Sequence, residues 1–95
     1  SQSYNDVNKI TLTVDPNQKE NKYKLICITD KDSIQSFMEK LYHRKSETVK
    51  FYPRYSIEIS YSNRTEKYFG NANHIKDMDG YTYRLLAKEW EIFNY

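Results

Sequence analysis

The chain has 95 residues, of which 38% are hydrophobic and 16% aromatic, and its 15 basic and 13 acidic side chains leave a net charge of +2. A chain this short leaves little room for a deep substrate cavity, and the near balance of charge argues against the strong positive field of a dedicated nucleic-acid binder. No apolar run approaches the roughly 20 residues of a membrane span. We predict one domain over residues 1–95, with residues 1–8 as a flexible N-terminal tail.

The first third of the chain predicts two strands. Lys9–Val14 alternates apolar residues with threonines, which is typical of a half-buried strand. The polar stretch Asp15–Asn21 predicts a hairpin connection. Tyr23–Thr29 carries apolar residues on both faces, which favours a strand at the centre of the sheet, and Cys27 within it is predicted to be buried and inert.

An amphipathic helix is predicted from about Asp32 to Arg44. The segment Thr29–Ser33 supplies side-chain oxygens that suit the start of a helix. Apolar residues then recur at helical spacing and predict a stripe that packs on a sheet face. The members of this stripe are Ile34, Phe37, Met38, Leu41 and Tyr42.

Two hairpins are predicted in the second half. Tyr55–Tyr61 alternates apolar and polar residues and connects through a polar turn to a strand at Glu66–Asn71. A tight turn at residues 77–80, with Gly80 available for positive φ, joins His74–Lys76 to Tyr81–Leu85.

The last residues predict a short C-terminal helix, because Leu86, Trp90 and Phe93 lie at helical spacing. The resulting order, ββαβββ(α), predicts an α+β fold with an antiparallel or mixed sheet and one amphipathic helix on a face. This order is similar to that of β-grasp domains, although other layouts share it.

The residues that could carry catalysis or bind a metal do not form a recognisable pattern. The Asp77–Gly80 segment imitates the start of a calcium loop, but the twelfth position is Lys88, which cannot be a ligand. No nucleophile motif accompanies His43 or His74. We therefore predict a protein that is not an enzyme and that has no metal or cofactor.

Tyrosine is the most distinctive residue type. Ten are present, and seven of them lie between Tyr52 and Tyr95, mainly on segments that alternate like exposed strands. Tyrosine and arginine are enriched at the centres of protein interfaces, because they provide a large contact area at low entropic cost. We predict a protein-binding surface on this C-terminal meander. Its candidate residues are Tyr61, Arg64, Tyr68, Tyr81, Tyr83 and Arg84.

Nucleic-acid binding is the alternative function. Aromatic and basic residues are interleaved on the same meander, and such a surface can stack nucleobases. The sequence lacks a motif of the type found in RNA-recognition sheets, and acidic residues lie among the basic ones. The residues concerned are Tyr52, Arg54, Tyr55, Arg64, Lys67, Tyr68 and Phe69.

The segment RYSIEISYSNRTEKYF, followed by IKDMDGYTYRL, resembles the C-terminal part of small bacterial extracytoplasmic domains and single-domain toxin-immunity proteins. The resemblance implies a bacterial immunity or inhibitor protein that masks a toxin or effector, and it assigns no site residues. It also implies a periplasmic or otherwise extracytoplasmic location, with the cytoplasm as the alternative. The polar start SQSYNDVNK, without methionine, suits a mature exported protein and allows a lipid anchor on a removed leader.

Overall fold

The computed structural model of the chain describes residues 4–14, 25–71 and 73–85. Within these ranges seven strands form one sheet, in the order β2-β1-β4-β5-β6-β7-β3, and every pair is antiparallel. One helix packs on this sheet, so the predicted α+β class is confirmed. The elements are β1 (Val7–Val14), β2 (Leu25–Ile28), α1 (Lys31–Tyr42), β3 (Lys45–Ser46), β4 (Tyr55–Tyr61), β5 (Thr65–Asn71), β6 (His74–Lys76) and β7 (Thr82–Arg84).

Helix α1 begins one residue earlier and ends two residues earlier than predicted. The side chain of Asp30 caps it by accepting the backbone N–H of Ser33 at 2.9 Å, and this hydrogen bond lowers the pKa of the Asp30 carboxyl. Tyr42, predicted to be in the buried stripe, is 58% exposed. At 3.6 residues per turn it lies about 80° around the helix from Ile34, at the margin of the stripe.

The core lies between α1 and one face of the sheet. The buried helix residues are Ile34, Phe37, Met38 and Leu41. They join a cluster with apolar side chains of the central strands, and burial of such side chains is the main favourable contribution to folding. The completely buried residues contributed by the strands are Ile10, Leu12, Ile57, Ile59 and Ile75.

Both predicted hairpins are confirmed. β4 and β5 are joined by a tight turn in which the N–H of Tyr61 donates to the carbonyl of Arg64 at 2.8 Å. β6 and β7 are joined by the turn containing Gly80, whose φ of 90° requires the conformational freedom of glycine. The segment between α1 and β4, predicted to be a loop, contains the two-residue strand β3, which pairs with β7.

The prediction that the second strand is central is wrong. β4 pairs with one edge of β1 and β2 with the other, so β2 ends the sheet and has one strand neighbour among the described residues. Alternate β2 side chains point away from the helix-covered face. For this reason Leu25 is 56% exposed, and Cys27, predicted to be buried, is an exposed free cysteine.

The prediction of a flexible tail over residues 1–8 is also wrong for its described part. Tyr4 belongs to the buried core, and β1 already begins at Val7. The backbone carbonyl of Asp6 accepts a hydrogen bond from the backbone N–H of Ser62 at 2.9 Å. The predicted connection at Asp15–Asn21 and the predicted C-terminal helix lie outside the described residues. Across the described part of the chain, no helix has the length and apolar character needed to cross a membrane.

Candidate protein-binding cleft

An open cleft lies where β5 extends past β6. β6 pairs with β5 only at Phe69, Gly70 and Asn71, so β6 does not cover the edge of residues 65–68. This edge and the β6–β7 turn border a cleft of about 410 Å³. Its lining residues are Thr65, Glu66, Lys67, Tyr68, Asp77, Met78 and Asp79.

The backbone groups of Thr65 and Lys67 point toward this cleft. Hydrogen-bonded and non-hydrogen-bonded pairs alternate along an antiparallel ladder, and Tyr61 bonds to Arg64 across the hairpin. The alternation continues from this pair along the observed register. The backbone N–H and C=O groups of Glu66, Tyr68 and Gly70 therefore point to β4. The intervening residues present theirs to the other side, where β6 is absent.

Asp77 fixes the conformation of the β6–β7 turn. One of its carboxylate oxygens, Oδ1, accepts the backbone N–H groups of Asp79 and Tyr81, each at 3.0 Å. The other, Oδ2, accepts the hydroxyl of Tyr83 at 2.9 Å. Hydrogen bonds to a charged acceptor are stronger than neutral ones, so this single carboxylate holds both the turn and the neighbouring ring in place.

Arg44 stacks on the two rings behind the cleft. Its Cζ lies 4.3 Å from the ring centroid of Tyr83 and 5.7 Å from that of Tyr68. Its Nη1 donates to the carbonyl of Leu41 at 2.9 Å, whereas its Nε is buried and has no hydrogen-bond partner among the described residues. Burial raises the pKa of Tyr68, although the Arg44 cation acts in the opposite direction, so this phenol stays neutral.

A second rigid group lies at the hairpin end of the cleft. The hydroxyl of Tyr61 donates to Oε1 of Glu66 at 3.0 Å, and Nε of Arg64 donates to Oε2 at 3.4 Å. The Cζ of Arg64 lies 3.8 Å from the ring centroid of Tyr61. Burial, followed by the hydrogen bond to Glu66, raises the pKa of Tyr61. The carboxylate of Glu66 therefore holds the side chains of Tyr61 and Arg64 together.

The structure brings together five of the six residues predicted from sequence. Tyr68 lines the cleft, and the other four bond to the lining residues Glu66 or Asp77: they are Tyr61, Arg64, Tyr81 and Tyr83. Their exposure differs greatly: Tyr68 is buried, Tyr61 and Tyr83 are half-buried, and Tyr81 is 66% exposed. Tyr68 is therefore a buried part of the cleft wall, whereas Tyr81 is exposed, and the binding role of these residues stays a prediction.

Arg84 does not belong to this group. In the register it lies opposite His74 on one side and Lys45 on the other, which places its side chain on the face of the sheet away from α1. Sequence reasoning also missed Arg44 and Met78 at the cleft. The DxDG spacing predicts a turn, and it was the one local sequence feature that indicated the role of Asp77 in holding this turn.

The described residues contain no group of three or more His, Cys, Asp or Glu side chains placed to hold a metal ion. Both oxygens of Asp77, considered above as a calcium ligand, accept hydrogen bonds within the turn and from Tyr83. Comparison of the chain with protein-family models, with curated proteins and with solved structures gives no match.

Proposed function

We propose that this chain is a non-enzymatic protein-binding domain that masks a partner through the cleft at the β5 edge. The observation that carries the proposal is a rigid turn that presents exposed apolar side chains. Tyr81 is 66% and Met78 is 67% exposed, and the carboxylate of Asp77 holds the backbone beneath them. Binding residues held in place before association lose less conformational entropy when a partner binds.

The free edge of β5 supports binding of an extended segment of the partner. Among the described residues, no strand pairs with the backbone N–H and C=O groups of Thr65 and Lys67 in the β6 direction, as is typical of sheets that bind a peptide by strand addition. The turn adds negative charge at Asp77 and Asp79, and no ion pair among the described residues involves either of them. A partner segment carrying lysine or arginine fits this charge.

Among protein-binding domains, the bacterial immunity or inhibitor class is the one that we propose. The support is the resemblance of residues 54–69 and 75–85 to such proteins. In this chain, these residues form the aromatic hairpin and the DxDG turn that border the cleft. In this proposal the partner is a toxin or effector, and the complex forms outside the cytoplasm.

The test is capture of the partner with variants that alter the cleft without altering the core. The tagged protein is incubated with a lysate of the source organism, the captured protein is identified, and the purified pair is titrated by calorimetry. Because truncating an exposed interface tyrosine removes a binding-energy hot spot, Tyr81→Ala should weaken binding about tenfold or more. Tyr42→Ala is the matched control, because Tyr42 is 58% exposed on α1 and does not line the cleft.

Two results would contradict the proposal: capture of no protein, or a purified partner that binds Tyr81→Ala as tightly as the original chain. The inhibitor class is tested separately by the activity of the partner. That activity should fall when the original chain is added and recover when Tyr81→Ala replaces it.

A further inference from the structure

We propose that the opposite face of the sheet binds single-stranded nucleic acid. This site, called here the basic face, is formed by β5, β6, β7 and β3 on the side away from α1, together with residues 49–52. The cleft on this face has no lining residue in common with the cleft at the β5 edge, so it is a separate site for a different class of partner.

The strand register assembles the basic face from residues far apart in sequence. His74, Arg84 and Lys45 lie side by side across β6, β7 and β3. Phe69, Lys76 and Thr82 form the next row across β5, β6 and β7. The residues between these rows, including Ile75, face the core. The result is a continuous strip of cationic and aromatic side chains that faces away from α1.

The cations of this face are largely without acidic partners. Among the described residues, no ion pair involves Lys45, Lys50, Lys76 or Arg84. Lys45 lies directly opposite Arg84, an arrangement of like charges that destabilises a sheet by itself. An anionic ligand removes this repulsion.

Among the residues that the structure describes, the two acidic side chains in ion pairs with this face are already engaged there. Oε1 of Glu47 lies 3.2 Å from Nε2 of His74, and Oε1 of Glu58 lies 3.8 Å from Nζ of Lys67. They therefore leave the row of Lys45 and Arg84, and Lys76 in the next row, without a neutralising carboxylate.

Aromatic rings lie beside these cations. Nζ of Lys76 is 5.9 Å from the ring centroid of Phe51, and Nζ of Lys67 is 5.2 Å from that of Phe69. Tyr52 is 90% exposed, although its backbone carbonyl is fixed by a hydrogen bond of 2.9 Å from Nδ2 of Asn71. An aromatic ring that is this exposed is suited to stack on a base.

A cleft of about 450 Å³ lies between the aromatic segment and the sheet. This volume is within the roughly 300–1,000 Å³ of typical ligand sites. Two lysines and two aromatic rings line the cleft, and no acidic side chain from the described part of the chain does. The lining residues are Val49, Lys50, Phe51, Tyr52, Lys76, Gly80 and Thr82. This combination matches a nucleotide, whose base stacks on a ring while its phosphate is neutralised by a lysine.

A single strand fits these features better than a duplex or an acidic protein. The bases of a duplex are already stacked on each other, so they have no free face for Tyr52. An acidic protein surface would engage the lysines but would gain little from an exposed ring next to them. The rings therefore favour unpaired bases as the ligand.

The experiment measures fluorescence anisotropy of a labelled oligouridylate and an oligothymidylate of about 12 nucleotides, with a duplex of equal length as competitor. The original chain should bind both single strands at about 50 mM salt and much more weakly at about 200 mM. Tyr52→Ala should reduce affinity about fivefold to 100-fold, because one stacked base is lost. Lys50→Gln with Lys76→Gln should lower the slope of log affinity against log salt by about 1.4.

The controls are Tyr42→Ala and Lys31→Gln, which alter exposed residues of α1 and should leave affinity unchanged. Absence of binding at low salt would overturn the proposal. So would equal binding of duplex and single strand, or an effect of the lysine variants without an effect of Tyr52→Ala, because either result indicates charge attraction alone. These outcomes are independent of the capture experiment, whose variant Tyr81→Ala lies outside the basic face.

Discussion

Gly70 allows the ring of Tyr55 to lie across β5. The two residues face each other in the ladder between β4 and β5, and Tyr55 is buried. A Cβ atom added at Gly70 would overlap Cε1, Cζ and the hydroxyl oxygen of this ring. The position therefore requires glycine for space, whereas Gly80 requires it for its positive φ.

The change Gly70→Ala should lower the free energy of unfolding by about 1–3 kcal/mol, because the ring of Tyr55 must leave its position in the core. Urea denaturation followed by circular dichroism measures this loss. In a Tyr55→Ala background the same change should cost clearly less, since the overlapping atoms are gone. An equal loss in both backgrounds would show that the ring is not the cause.

The turn between β6 and β7 depends on one carboxylate. Asp77 accepts three hydrogen bonds, two from backbone N–H groups and one from the hydroxyl of Tyr83. Asp79 is two residues away and exposed, and its side chain makes no hydrogen bond among those of the described residues. The two aspartates of the DxDG segment therefore differ in structural importance.

We expect Asp77→Ala to reduce the free energy of unfolding by about 1–3 kcal/mol, because two backbone N–H groups of the turn and the part-buried hydroxyl of Tyr83 lose a charged acceptor. Asp79→Ala is the matched change and should stay within about 0.5 kcal/mol of the original chain. Thermal and urea unfolding of the two variants provide the comparison. Similar losses for both would mean that overall charge, rather than these hydrogen bonds, stabilises the turn.

The sheet separates charges that are mixed along the chain. Glu66 and Asp77 lie on the side facing α1, where they hold tyrosine hydroxyls. Lys45, Lys76 and Arg84 lie on the opposite side. The net charge of +2 is therefore the sum over a basic side and an acidic cleft. The two are separate because side chains that alternate along a strand point to opposite faces.

If the two proposed sites are distinct, substitutions in one should leave the other unaffected. Tyr81→Ala should bind labelled oligouridylate within about twofold of the original chain, since Tyr81 does not line the cleft of the basic face. Tyr52→Ala should likewise leave calorimetric affinity for the captured protein unchanged. A variant that weakens both kinds of binding would indicate a single shared surface.

Local patterns in the sequence predicted most of the elements correctly. The stripe Ile34, Phe37, Met38 and Leu41 has the helical period, and the alternation of Tyr55–Tyr61 has that of a strand. Turn chemistry located both hairpins, because a polar turn and a glycine with positive φ are local requirements. The tyrosine-rich hairpins also indicated the cleft, since five of the six predicted residues contact it or line it.

Long-range arrangement was not predictable in this way. The apolar run around Cys27 is compatible with a central strand and with an edge strand, and only the pairing of β4 with β1 makes β2 an edge. The same holds for Arg44, which lies near Tyr68 and Tyr83 because the chain folds back after α1.

The sequence alone determined the α+β class, the helix, both hairpins and the turn at Gly80, because each depends on residues close together in the chain. The tertiary structure alone decided the order of the described strands, the edge at residues 65–68 that β6 does not cover, and the face on which each described tyrosine lies. It also separated Arg84 from the other candidate residues and placed it beside Lys45. These features depend on strand register, which joins residues distant in sequence, and a shift of one residue moves every side chain to the other face.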